Sequence, residues 1–120
     1  MKSVHDLVSP LILATKNGNL SWERDERRHE KRFCAGLPNH FKIEVWEWWD
    51  PSSENDGITV SLRDEDENQI DVIEADKYHP EYDDLHNLFD IARRSANNVD
   101  FVITSLEDAI SKLAKSKKDE

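Results

Sequence analysis

The chain has 120 residues, one cysteine and a formal net charge of −10, which bounds it to a single domain with room for a real core. Its lone Cys34 excludes an internal disulfide framework. With no charged start followed by a long apolar run, neither a signal peptide nor a membrane span is expected, and a reducing cytoplasm is the predicted compartment. The charge is uneven: residues 1 to 43 carry 8 basic and 5 acidic groups, residues 44 to 90 carry 2 and 16, and residues 91 to 120 carry 6 and 5. A field of that sign disfavours direct nucleic-acid binding and favours cationic partners or metal ions.

Val4, Leu7, Val8, Leu11 and Ile12 recur at helical spacing, with Ser3 and Asp6 placed to cap the start. This predicts a helix over 4–17, kinked or broken near Pro10, where Ser9 and Pro10 suit the cap and first position of a second short helix. Gly18 suits a left-handed terminator. Leu20 and Trp22 then alternate with polar residues, as in a short extended segment that drops an indole into the core. Residues 23–32, charged with both signs, read as a solvated loop or irregular hairpin arm.

Alternation and turn chemistry predict strands over 32–37, 41–49 and 58–63, and a last one through Ile70, Val72 and Ile73. The intervening turns fall at 38–40, 51–57 and 64–68. Connections this short imply an antiparallel meander of three to five strands. After Pro80, Tyr82, Leu85, Leu88, Phe89, Ala92 and Ala96 line one side of a helix, and Val99, Ile103, Leu106, Ile110 and Leu113 continue the period. Asn97 and Asn98 favour a break, so two helices are expected, 80–96 and 99–114, with a frayed tail over 116–120. The predicted fold is α+β: an N-terminal helix, an antiparallel β-meander and two C-terminal helices packed on one sheet face.

The run FKIEVWEWW, Phe41 to Trp49, puts Phe41, Ile43 and Val45 on one strand face and Trp46 and Trp48 on the other, beside Lys42 and Glu44. Both faces therefore carry large apolar groups. Either a helix covers the second face, or two indoles lie open as a contact surface.

Little else points to chemistry. Asp64, Asp66 and Asn68 imitate the opening of a calcium loop, yet Gln69 stands where its glycine belongs and Ala75 where its closing glutamate belongs, so a polar hairpin turn is expected. His5, His29, His40, His79 and His86 do not supply a zinc set, whether His29 and His40 are grouped with Cys34 or His79 with His86. His86 has Asp83 one turn earlier as a simpler partner. Cys34, in the alternating RFCAGL, reads as a packed thiol and not a nucleophile. No catalytic residue, metal or cofactor is predicted.

Thr15, Gly18, Leu20 and Trp22 form the pattern T-x-x-G-x-L-x-W, followed by a meander and by helices around LFDIARRSA. In this order of features the chain resembles an uncharacterised group of small bacterial α+β proteins. The resemblance spans most of the chain, implies a shared fold and at most accessory or regulatory roles, and brings no catalytic residues.

The expected function is a non-enzymatic, acidic protein-interaction module that docks a cationic protein, regulating or inhibiting it, through Trp46, Trp48, Glu44, Glu47 and Asp50. Homodimerisation through an edge strand or the aromatic face is a further expectation. A sharper version has the carboxylates imitate a phosphate backbone, which requires Asp64 to Glu67, Asp71 and Asp83 to share one ridge. The competing reading is a small hydrolase or ligand-binding protein, which requires a closed cavity around His79, His86 or an acidic residue.

Overall fold

A computed structural model describes residues 1–27 and 31–118 of the chain. The first turn, Val4–Leu7, is a 3-10 helix, and α1 follows directly over Val8–Lys16. The break falls before the predicted site. Pro10 sits in the first turn of α1, where a backbone N–H has no intrahelical acceptor and its absence costs nothing. The Ser3 N–H donates to Asp6 Oδ2 at 2.8 Å and the Val4 N–H donates to Asp71 Oδ2 at 2.8 Å, pinning the N-terminus to the sheet.

The T-x-x-G-x-L-x-W segment is a helix terminator joined to a core anchor. Gly18 takes φ 77°, its N–H donates to the Thr15 carbonyl, and the Asn19 N–H donates to the Ala14 carbonyl, the crossed pair that closes a helix on a left-handed residue. The Thr15 hydroxyl donates back to the Leu11 carbonyl at 2.7 Å and accepts from Trp22 Nε1 at 2.9 Å. Trp22, 3 % exposed, is thereby buried with its one polar atom satisfied.

Five strands follow: β1 (Glu23–Arg24), β2 (Arg32–Gly36), β3 (Lys42–Asp50), β4 (Asn55–Arg63) and β5 (Gln69–Asp76). They hydrogen-bond in chain order as one antiparallel meander, the fold class that alternation and short turns predict. β1 starts just after Trp22 and takes the first residues of the expected loop, Glu23 facing Cys34 and Arg24 facing Phe33. His29 lies outside the described residues. Asn39 and His40 turn the chain with φ of 65° and 67°, conformations that asparagine and histidine tolerate better than most residues.

The C-terminal helices are α2 (Tyr82–Ala96) and α3 (Val99–Lys118), α3 continuing four residues past its predicted end. They pack on the sheet through α2. Leu85, Leu88, Phe89 and Ala92 of α2 join Val4, Val8 and Leu11 over the inward faces of the strands, including Phe33, Ile43, Val45, Ile58 and Val60, and all of these are at most 6 % exposed. The Phe33 and Phe89 rings meet at 5.6 Å. Full burial of each such side chain contributes about 1.5–3 kcal/mol. Within that plan α3 departs from a helix packed on the sheet. Asn98, with φ 53°, accepts the first helical bond of α3 from the Val102 N–H and turns the chain outward, so residues 100–115 are exposed along their whole length. No helix among the described residues is long and apolar enough to cross a membrane.

Candidate interaction surface

Paired residues of an antiparallel ladder share a face, so the register assigns the two sides of the sheet. The α2 side holds Phe33 opposite Val45, Ile43 opposite Leu62 and Val45 opposite Val60. The other side holds Arg32 opposite Trp46, Cys34 opposite Glu44, Trp46 opposite Thr59 and Trp48 opposite Gly57. The helices thus cover the face of Ile43 and Val45.

The tryptophan face is closed by its own side chains lying flat on the strands. The Arg32 guanidinium carbon stands 3.7 Å from the centroid of the Trp46 ring, within cation–π range. Arg32 Nη1 donates to Glu44 Oε2 at 3.0 Å, and Arg63 Nε approaches Glu44 Oε1 at 3.4 Å. Glu44 is 4 % exposed with each carboxylate oxygen engaged by a guanidinium, and Ser61 behind it is fully buried, its hydroxyl donating to Gln69 Oε1. Long amphipathic side chains do here what a second helix layer does elsewhere. Trp46 and Trp48 are accordingly half-buried.

The predicted site residues therefore divide. Glu44 and Trp46 are parts of an internal cluster, while Trp48, Glu47 and Asp50 belong to the far end of the β3–β4 hairpin. At that end Trp49, 60 % exposed, faces Asp56, and Tyr78, 79 % exposed, follows β5. The Lys77 N–H donates to the Asp56 carbonyl, tying the start of β4 to the turn after β5. Asp50 accepts from the Ser52 and Ser53 hydroxyls at 2.7 and 3.0 Å, and these bonds hold its carboxyl below the usual carboxylate range. Asp76 is lowered likewise, first by the Tyr78 N–H and then by the Asn55 side chain. Between residues 44 and 90 the only basic residues are Arg63 and Lys77, and the Lys77 ammonium lies 5.4 Å from the Tyr78 ring centroid.

Trp49 and Tyr78 escape a reading based on alternation. Parity assigns Trp49 to the apolar face of Ile43 and Val45, and the strand simply outruns the helix that covers that face. Its position beside Asp50 and Pro51 was the available signal, since a strand end next to a turn is a poor place to bury an indole.

The remaining groups have structural roles. His79 Nδ1 accepts from the Glu81 N–H at 3.1 Å at the start of α2, the His86 and Tyr82 ring centroids stand 5.7 Å apart, and His5 sits 3.5 Å from Asp84. Asp64 accepts the Asp66 and Asn68 N–H groups, both at 2.9 Å, as the organiser of its turn. Cys34 is half-buried in β2, and burial pushes its thiol pKa up. Among the described residues no three His, Cys, Asp or Glu side chains converge as metal ligands. A cleft of ≈ 720 Å³ lies between the end of α1, α2 and the start of α3, and neither His79 nor His86 lines it. Asp71 accepts from the Val4 N–H at 2.8 Å, while the turn 64–68 closes one end of the β4–β5 pair and Asp83 lies in the first turn of α2, which follows the other end.

No family model, no curated protein and no solved structure matches this chain.

Proposed function

We propose that the chain is a non-enzymatic interaction module whose acidic, aromatic hairpin end docks a cationic segment of a partner protein. The observation that carries this reading is the exposure of Trp49 and Tyr78 at a carboxylate-rich hairpin end, with Asp56 directly across from Trp49, Glu47 on the same face, and Asp50 and Asp76 on the opposite face of the same end. Aromatic faces attract guanidinium and ammonium groups, and carboxylates beside them supply charge-assisted hydrogen bonds. Strands carry Trp49, Glu47, Asp56 and Asp76, with Tyr78 in the turn directly after β5, so little ordering cost is added on binding at the strand positions. The internal Arg32–Glu44–Arg63 cluster supports the hairpin from behind and is not itself the contact.

The test is calorimetric titration of the full chain with an arginine-rich peptide of about ten residues, long enough to span the exposed patch at roughly 3.3 Å per residue. Binding is expected to weaken steeply with salt. Trp49→Ala with Tyr78→Ala is expected to cost about tenfold or more in affinity. Glu65→Gln with Asp66→Asn, at the opposite end of the sheet, should leave affinity within about twofold if the site is local and not a general acidic field. Equal losses for both pairs, or no binding, would refute the assignment.

A further inference from the structure

A different surface, helix α3, has an apolar stripe that no other described residue covers. Val99, Ile103, Leu106, Ile110 and Leu113 recur at steps of four and three, a seven-residue repeat with isoleucine at one seam position and leucine at the other. Ile103, Leu106, Ile110 and Leu113 are 46, 52, 60 and 70 % exposed. The opposite side carries the Lys112–Asp108 ion pair at 3.3 Å and one apolar residue, Phe101, 66 % exposed seven residues before Asp108. A solitary 20-residue helix with this pattern is marginal in water, because helices in proteins draw most of their stability from packing an apolar face.

We propose that the occupant of this stripe is α3 of a second copy of the chain, running antiparallel. The repeat has the spacing of a two-stranded coiled-coil seam over two heptads, and Val102 and Ala109, beside it on one flank, widen the apolar contact instead of interrupting it. Charge sets the direction. Residues 44 to 90 carry 16 acidic and 2 basic groups, whereas Lys112 and Lys115 stand on the last turns of α3. A parallel pair would bring two acidic bodies together, and an antiparallel pair separates them and sets each basic helix end toward the root of the partner's α3, where Asp90 and Asp100 attract it and Lys16 and Arg94 offset part of that attraction. Val99, at the root of the stripe, also lines the ≈ 720 Å³ cleft with Ile12, Leu20 and Ile91, so the apolar surface continues from α3 onto the body. In the register that pairs the four exposed seam residues, Ile103 meets the partner's Leu113 and Leu106 meets the partner's Ile110. One unfavourable contact remains: Glu107 faces the partner's Glu107 across the two-fold axis.

Sedimentation equilibrium of the full chain at about 100 µM, a concentration at which a micromolar dimer is populated, is expected to give twice the 14.0 kDa chain mass. Leu106→Asp should weaken association about a hundredfold or more, with the sheet retained because α3 makes few contacts with the body. Far-UV helicity should fall on dilution as α3 loses its partner. Glu107→Gln should tighten the dimer several-fold, an effect absent from a parallel pair, where position 107 faces the partner's Val102. A wild-type chain that stays at 14.0 kDa, or a dimer indifferent to Leu106→Asp, overturns the proposal, and an unchanged Glu107→Gln variant overturns its direction.

Discussion

The Trp48 indole lies across Gly57, its cross-strand partner, and fills the space that a side chain at position 57 would need. A methyl group there would stand 2.6 Å from a ring carbon of Trp48 and 2.7 Å from the Ala75 carbonyl oxygen. Glycine inside a strand ordinarily weakens it, and here a large ring from the neighbouring strand covers the exposed backbone. Gly57→Ala is therefore expected to destabilise the fold by about 1–3 kcal/mol, because the Ala75 carbonyl belongs to the ladder and cannot step aside as a flexible side chain can. Urea unfolding followed by tryptophan fluorescence measures this directly. Unchanged stability would mean that the indole does not rest on Gly57.

Glu44 joins two guanidiniums on a face without a helix, and its removal should cost more than its surface position on the sheet suggests. Glu44→Ala removes a carboxylate that stands 3.0 Å from Arg32 and 3.4 Å from Arg63, and Arg32 is only 7 % exposed. The expected loss is about 3 kcal/mol, at the lower end for breaking a buried pair, because Arg63 is partly solvated. The double change Arg32→Met with Glu44→Leu should recover most of that loss, since an apolar pair removes both the buried charges and the need to match them. Denaturation midpoints for Arg32→Met, Glu44→Leu and the double variant complete the cycle. Additive losses would show that the pair is not coupled.

Much of this architecture was legible because each element announced itself locally. Gly18 ends α1, Asn97 and Asn98 divide α2 from α3, and the alternation from Lys42 to Asp50 runs the length of β3. What alternation could not supply was the identity of the cover. It gave Trp46 and Trp48 a common face, but Arg32 and Arg63 reach that face only through the register of β2 and β4. Charged residues in a sequence read as solvated, and nothing in the spacing of Arg32, Glu44 and Arg63 marks them as a buried cluster. The periodicity of α3 was equally plain, yet it specifies only that an apolar stripe exists. Whether the stripe meets the sheet depends on the φ of Asn98, a single backbone angle that aims the whole helix.

The turn between β4 and β5 should make stability fall in acid. Asp64 accepts the Asn68 and Asp66 N–H groups, and these bonds hold its carboxyl below its ordinary 3.8, the bond from Asn68 being the largest cause. A carboxyl depressed in the folded state binds fewer protons there than in the unfolded chain. Its contribution is complete above the unfolded pKa and is lost as pH falls through the folded value, so the window opens below about pH 4. Asp64→Ala should lower the urea midpoint at neutral pH and narrow its gap from wild type as pH drops toward about 2. Glu67, held down first by its hydrogen bond from Lys42 at 2.7 Å, titrates in the same direction and keeps part of the acid slope in the variant. Midpoints for wild type and Asp64→Ala that run parallel from neutral to acid pH would show that the Asp64 carboxylate adds nothing beyond its neutral form.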